Sequence, residues 1–281
     1  METGTILFKT EKVTDRITRI YGIAGELMYL AEGDCKAALI DTGVGVGNLR
    51  ELVRSLTKKD VYVLLSHGHV DHALGAGVFE QVYMSPLDEN VYRENSQISH
   101  REAFLNASVP DWRRRVYPGA FVEKLVNCFH PLEDGQRFAL GGLTIEVAAL
   151  AGHTPGSMTF LFEEERVLLF GDACNSYTYL FDHNSASVSE YREYLMNFRE
   201  RVYGRYDRGL VSHGTGNAAE GLLESAILLT EDILNGNAED VPFEFMGEKA
   251  YIARRVDAHL KRLDGGAANI VYAKNKVRSL R

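Results

Sequence analysis

Cysteine, long apolar runs and surplus positive charge are all scarce in this sequence. The 281 residues include three cysteines, Cys35, Cys128 and Cys174, which are far apart and outside any CxxC pair. This spacing fits reduced thiols and argues against a disulfide framework. No segment approaches the roughly 18 uninterrupted apolar residues of a membrane-spanning helix, and the first residues do not show a basic stretch followed by a long apolar run. We therefore expect a cytoplasmic protein that makes no use of a membrane.

The balance of charge also limits the class of partner. A formal net charge of −8 works against nucleic-acid binding, because neutralising phosphates requires a surplus of lysine and arginine on one face. A hydrophobic share of 45% is typical of a packed globular protein. The partner that we expect is a small-molecule substrate, and a homodimer is a further possibility.

Periodicity predicts a mixed α and β chain. Apolar or alternating segments predict strands at 16–23, 27–31, 36–40, 61–65, 136–139, 143–150, 158–163, 166–170, 209–212 and 269–272. Apolar residues at helical spacing predict helices at 47–57, 187–202 and 218–234, and residues 248–260 are compatible with another. The helix at 187–202 begins with a capping box formed by Ser187 and Glu190.

Two segments interrupt or follow this pattern. Residues 86–130 form a mostly helical insertion, and residues 218–262 a helical extension. The insertion carries several aromatic residues: Tyr92, Phe104, Trp112, Tyr117, Phe121 and Phe129. These side chains could line a substrate pocket or form a small core of their own, and the sequence leaves both interpretations open.

The largest local group of potential metal ligands directly follows the predicted apolar strand at 61–65. His67 and His69 are separated by one residue, so both imidazoles can lie on the same side of an extended backbone. Asp71 and His72 follow at once, so that three imidazoles and a carboxylate fall within six residues. Nitrogen and oxygen ligands of this kind suit zinc, manganese or iron.

Three more potential ligands also lie at or near predicted strand ends: His153, Asp172 and His213. A single closed structural site needs only four ligands, so seven converging groups would instead form a site for two metal ions with open positions for substrate.

Four motifs resemble those of the metallo-β-lactamase superfamily: Ser-His-Gly-His-Val-Asp-His at 66–72, Gly-His-Thr-Pro-Gly-Ser at 152–157, Gly-Asp at 171–172 and Ser-His-Gly at 212–214. They occur in the family's order, and Asp-Thr-Gly at 41–43 resembles its early turn. The resemblance implies an α+β fold, a four-layer αβ/βα sandwich with the metals at one edge. We expect residues 1–281 to form one such domain, in which the insertion acts as a helical cap.

The resemblance also implies a role for each ligand. The first metal would be held by His67, His69 and His153, the second by Asp71, His72 and His213, with Asp172 bridging the two. Asp41 would support the ligands without binding metal. The expected cofactors are two divalent ions, with zinc favoured and manganese or iron as alternatives.

The function that follows is hydrolysis by a metal-bridging hydroxide, with a small ester, lactone or thioester as substrate. Asp71 would carry a proton to the leaving group. Tyr177 would donate to the substrate carbonyl, as a tyrosine does in lactone-cleaving members of the superfamily, and His183 could face the same pocket. Two alternatives remain open: a persulfide dioxygenase-like enzyme with one iron, and a sensor that binds metal or ligand without catalysis.

Overall fold

The computed structural model describes residues 8–116, 120–124 and 129–279. Tyr117 and Cys128, which the sequence analysis singled out, lie outside this range. The chain divides into two compact units, Met1–Val147 with Phe162–Glu165 and Ala148–Leu161 with Arg166–Arg281. We refer to them as unit 1 and unit 2. That they act as one domain stays a prediction.

Unit 1 is built on a seven-stranded sheet in the order β1-β2-β3-β4-β5-β6-β7. Its strands are β1 (Lys9–Lys12), β2 (Ile17–Tyr21), β3 (Leu27–Glu32), β4 (Lys36–Ile40), β5 (Asp60–Leu64), β6 (Val82–Met84) and β7 (His130–Pro131). The first four pair antiparallel, whereas β4 through β7 pair parallel. Helix α1 (Leu49–Leu56) provides the crossover from β4 to β5, as parallel neighbours require.

In sequence, further helices of unit 1 lie between its parallel strands β5, β6 and β7, and a hairpin follows β7. Among the described residues these helices are α2 (Val70–Ala73), α3 (Glu89–Asn95), α4 (Ile98–Ser108) and α5 (Trp112–Arg115). Strands β8 (Arg137–Ala139) and β9 (Thr144–Ala149) form an antiparallel hairpin, and β9 ends in unit 2. In the described part of the insertion, helices predominate, as the sequence predicts.

Unit 2 contains two groups of strands and two long helices. Its elements are β10 (Met158–Phe162), β11 (Val167–Gly171), β12 (Thr178–Leu180), α6 (Val188–Val202), β13 (Arg208–Val211), α7 (Leu222–Leu234), β14 (Val241–Phe245), β15 (Glu248–Ile252) and β16 (Ile270–Tyr272). One group runs β13-β11-β10 and the other β12-β16-β15-β14. The predicted capping box at the start of α6 is confirmed, because Ser187 Oγ accepts from the Glu190 backbone N–H while the Glu190 carboxylate accepts from that of Ser187.

The predicted helix at 248–260, and with it the helical character of much of 218–262, is wrong. Residues Glu248–Ile252 form strand β15, which pairs antiparallel with β14. The turn between them, Met246 and Gly247, has φ values of 50° and 86°. Two successive positive φ values are the signature of a tight hairpin turn, and such a turn commits both flanking segments to strands. The helix of this region is confined to Leu222–Leu234.

Among the described residues, no helix has the length and apolar character needed to cross a membrane.

Candidate metal centre

The histidine-rich segment of unit 1, residues 67–72, lies just beyond the end of β5. It is hydrogen-bonded to the first part of the insertion. The Gly68 backbone N–H donates to Oδ2 of Asp88 at 2.8 Å, and the Val70 N–H donates to Oδ1 of Asn95 at 3.1 Å. A Cβ on Gly68 would lie 2.7 Å from the backbone nitrogen of Tyr92. Glycine is therefore required at this position by close approach of two backbone segments.

Within unit 1 the four predicted ligands lie together. Nε2 of His67 lies 3.1 Å from Nδ1 of His69. Ligand atoms of His67 and His72, and of Asp71 and His72, lie within 4.8 Å of each other. Two nitrogen ligands of a tetrahedral zinc, each about 2.0–2.1 Å from the ion, lie roughly 3.3–3.4 Å apart. The spacing and donor types in unit 1 therefore fit a transition metal.

Asp41 organises this set through hydrogen bonds at the sheet edge. Ile40 on β4 pairs with Leu64 on the parallel strand β5, so the residues that follow each strand emerge side by side. Asp41 Oδ1 accepts from the Ser66 backbone N–H at 2.7 Å, and Oδ2 accepts from Ser66 Oγ at 2.8 Å and from His72 Nδ1 at 2.8 Å. The hydrogen bonds that the predicted supporting role of Asp41 requires are present, and the role itself stays a prediction.

These bonds also fix the tautomers of two ligands. Ser66 Oγ gives its only hydrogen to Asp41, so Nδ1 of His67, 3.0 Å from that oxygen, must be the donor to it. His72 likewise carries its hydrogen on Nδ1, because a carboxylate oxygen only accepts. Both imidazoles therefore keep the Nε2 lone pair for a metal, which is the arrangement typical of histidine ligands.

The three predicted ligands of unit 2 also lie together. Leu169 on β11 pairs with Leu210 on the parallel strand β13, and a bulge between Leu169 and Gly171 shifts the register at the strand end. Asp172 and His213 follow these strands, and their Oδ2 and Nε2 atoms are 3.0 Å apart. His153 Nε2 lies 4.0 Å from the same Asp172 oxygen.

Two hydrogen bonds that sequence reasoning missed orient these ligands. Nδ1–H of His153 donates to the backbone carbonyl of Tyr179 at 2.9 Å, which leaves Nε2 as the ligand atom. The side-chain amide of Asn175 donates to Oδ1 of Asp172 at 3.2 Å. The second contact spans only three residues and so has a local signal, an Asp-x-x-Asn pattern, whereas the first depends on the tertiary fold.

A buried carboxyl near Asp71 was not predicted either. Glu26 is 2% exposed, and its oxygens accept from the backbone N–H groups of Ala24 at 2.8 Å and Val44 at 3.4 Å. Burial, together with the negative charge of Asp71, raises the pKa of Glu26 from 4.5 to about 7.

The substrate-contact predictions concern Tyr177 and His183. The Tyr177 hydroxyl donates to the backbone carbonyl of Leu260 at 2.8 Å, and its backbone N–H donates to Oδ1 of Asn175 at 2.8 Å. Burial raises the pKa of Tyr177, with the charge of Asp257 adding to the effect. The His183 side chain is exposed and contacts Asp182 and Asn184. Neither arrangement tests a role toward substrate, so both roles stay predictions.

The aromatic residues of the insertion favour one of the two earlier interpretations. Tyr92, Phe104 and Trp112 are 4%, 9% and 5% exposed. The Tyr92 ring lies 4.8 Å from that of Phe129, and the Trp112 indole N–H donates to Asn106 Oδ1 at 2.9 Å. Burial of this extent is typical of a small core rather than a pocket wall. Trp112 and Phe104 therefore support the insertion itself.

Among the described residues, the groups that could hold a metal ion contain histidine and aspartate but no cysteine. Cys174 is fully buried, and burial raises the pKa of its thiol to about 12. Cys174 is therefore a small buried thiol, in line with the reduced cysteines that the sequence predicts.

Comparison with known proteins assigns most of the chain to one family. A sequence profile described as the metallo-beta-lactamase superfamily matches residues 23–192. The atrochrysone carboxyl ACP thioesterase AgnL7 of Paecilomyces divaricatus is 25% identical over 216 residues, which are 73% of this chain and 57% of that protein. The chain thus spans less than two thirds of the length of these curated relatives.

Solved structures agree. A metallo-beta-lactamase from Pontibacter korlensis superposes with a TM-score of 0.57 at 18% identity, covering 79% of this chain and 98% of that one. A protein solved in a di-iron-bound form gives a TM-score of 0.51 at 26% identity, covering 70% and 91%. The predicted α+β sandwich fold is confirmed by these likenesses. Because the family profile covers more than half of its length, the chain belongs to the metallo-β-lactamase superfamily.

Proposed function

We propose that this protein is a metal-dependent hydrolase of thioesters or of related esters and lactones. The observation that carries the proposal is the common tautomer of His67, His72 and His153. Each places Nδ1–H against a fixed acceptor and keeps Nε2 for a metal. Functional metal sites typically contain ligands that the surrounding protein orients in this way.

We further propose that the ligands of both units serve two divalent ions, with zinc favoured and manganese or iron as alternatives. The first ion would be held by His67, His69 and His153, the second by Asp71, His72 and His213, and Asp172 would contact both. The relative solved in a di-iron-bound form supports a site for two metals. Bound ions of this kind would lower the pKa of water toward neutrality and polarise a substrate carbonyl.

The protein's own groups would then position and transfer protons. Asp71 is 9% exposed, with one oxygen 3.5 Å from His72 Nε2. In this proposal its carboxylate would pass a proton to the leaving group. Asn175 would hold the Asp172 carboxylate in one orientation through its amide. Tyr177 would supply a hydrogen bond to the substrate, once its hydroxyl leaves the Leu260 carbonyl.

The substrate class rests on the relative named as an acyl carrier protein thioesterase. The proposal also includes a small-molecule acyl substrate, a cytoplasmic location, no nucleic-acid partner and a homodimer.

The test is a substrate panel. The purified protein would be loaded with zinc, manganese or iron and assayed on N-acetylcysteamine thioesters, aryl esters and acyl lactones. We expect thioester turnover that is abolished by chelation and by His67→Ala but unaffected by His259→Ala, an exposed histidine outside the ligand set. If no metal supports hydrolysis of any of these substrates, the proposal fails. Oxygen consumption on a persulfide by protein with one iron would favour the dioxygenase alternative.

A further inference from the structure

Unit 2 contains a group of four aromatic side chains that the metal centre does not use. We call it the aromatic cluster: Tyr179, Phe181, Phe243 and Phe245. The Tyr179 ring lies 5.2 Å from that of Phe181, 5.6 Å from Phe243 and 6.1 Å from Phe245, and the Phe181 and Phe243 rings are 6.1 Å apart. All four side chains are partly exposed, unlike Tyr92, Phe104 and Trp112 of the insertion.

Strand alternation explains why these rings share a face. Phe243 and Phe245 are two residues apart on β14, and the residue between them, Glu244, is exposed. Phe243 pairs with Ala250 on β15, a small residue that is 2% exposed. Tyr179 on β12 and Phe181 just after it are likewise two residues apart, so they lie on one face of the chain.

One member of the aromatic cluster, Tyr179, also orients the proposed metal ligand His153. The backbone carbonyl of Tyr179 accepts from Nδ1–H of His153 at 2.9 Å. The residue whose carbonyl orients His153 therefore also contributes a ring to this partly exposed apolar surface of the same unit. Partly exposed rings grouped in this way differ from the isolated exposed leucines and tyrosines that are ordinary on protein surfaces.

We propose that the aromatic cluster is the acyl-binding surface of the enzyme and that it selects planar aromatic acyl groups over linear alkyl ones. This inference rests on the proposed hydrolase function. Rings tilted at 47° to 64° to one another present both edges and faces to a flat ligand. Edge-to-face and offset-stacked contacts favour an aromatic ligand beyond its buried area, whereas an alkyl chain gains only from area.

The experiment compares the metal-loaded enzyme with Phe243→Leu and Phe245→Leu, which remove a ring but keep an apolar side chain. The matched control is Tyr203→Leu, since Tyr203 is an aromatic residue of the same unit that is 84% exposed and outside the aromatic cluster. The kcat/KM ratio of 2-naphthoyl to octanoyl N-acetylcysteamine thioester would be measured for each. Metal content and thermal unfolding would confirm that each variant is folded and loaded.

We expect each cluster variant to lower the naphthoyl-to-octanoyl ratio about three- to tenfold, the size of one aromatic contact, while Tyr203→Leu leaves it unchanged. A ratio that stays within about twofold of wild type in both cluster variants, or that falls equally in the control, would overturn the inference.

A binding measurement separates this inference from the proposed function. Calorimetry would follow 2-naphthoate and octanoate on the metal-loaded protein. If neither thioester is hydrolysed but naphthoate binds more tightly and Phe243→Leu weakens it, the hydrolase proposal fails and the aromatic site stands. If both thioesters are hydrolysed and the variants bind naphthoate as wild type does, the aromatic site fails. Sedimentation adds a third outcome, because cluster variants that only dissociate a dimer would assign this surface to a second copy of the chain and overturn the inference.

Discussion

His72 donates its Nδ1–H to Oδ2 of Asp41 across 2.8 Å, between two side chains that are 0% and 1% exposed. The same carboxylate receives the hydroxyl and backbone N–H of Ser66. Asp41 has a φ of 64°, a left-handed conformation that aspartate and asparagine tolerate better than most residues. One carboxylate therefore sets the orientation of one candidate ligand directly and of another, His67, through Ser66.

Asp41→Asn tests this relationship while preserving tolerance of the left-handed backbone. The amide can offer one acceptor oxygen in place of two, so either His72 or Ser66 loses its partner. We expect metal affinity to fall about 10- to 100-fold, the usual effect of removing a group that orients a metal ligand. Competition with a chromophoric chelator would measure it. Asp60→Asn, which alters an exposed carboxylate on β5, is the control. Equal affinities in the two variants would contradict the role of Asp41.

The ligand assignment predicts metal stoichiometry. Wild type should bind about two ions per chain, and His67→Ala about one. Asp172→Ala should weaken both sites, because its carboxylate is proposed to contact both ions. Elemental analysis after equilibrium dialysis gives these numbers, with His259→Ala as a control that should keep both ions. Retention of two ions by Asp172→Ala would remove the shared ligand from the proposal.

Glu26 predicts the pH dependence of stability in the metal-free protein. Its pKa is raised by burial, and by Asp71, to about 7 in the folded state, above the usual 4.5. Between these values the folded chain binds more protons than the unfolded one, so stability is highest below about 4.5 and falls as pH rises through about 7. The loss contributed by this group is on the order of 1–3 kcal/mol.

Urea unfolding from pH 5 to pH 8 in the presence of a chelator would measure this slope. Glu26→Gln should flatten it even if the variant is less stable at every pH, because an amide does not titrate in this range. Glu80→Gln, at an exposed carboxyl of the same unit, should leave the slope unchanged. A slope that persists in Glu26→Gln would place the titration elsewhere.

The capping box of α6 separates stability from function. Ser187→Ala removes the acceptor of the Glu190 N–H and should lower the free energy of unfolding by about 1 kcal/mol. Metal content and kcat/KM should be unchanged, because the cap acts on the helix and not on the ligands. Ser55→Ala on α1, an exposed position, should have a smaller effect on stability. Loss of bound metal in Ser187→Ala would show that the helix start supports the centre.

Local patterns were sufficient where the interactions themselves are local. The capping box joins residues three apart, and the histidine motif falls within six residues, so both could be recognised without a structure. The turn at Met246 and Gly247 is equally local, but the apolar residues of 248–260 also fit a helix. The pairing of β15 with β14 decides between the two, and periodicity does not reveal which strand will pair.

The sequence by itself determined the family and the seven candidate ligands, because these depend on residue types in short local motifs. The α+β class is what the resemblance of those motifs implies. Only the tertiary structure decided which ring nitrogen of His67, His72 and His153 donates a hydrogen bond, and which group accepts it. Asp41 lies 31 residues from His72, and Tyr179 lies 26 residues from His153. The rings of β12 and β14 also meet only after the chain folds. Contacts of this kind join residues that are distant in sequence, and a carbonyl acceptor carries no signature of its own, because every residue supplies one.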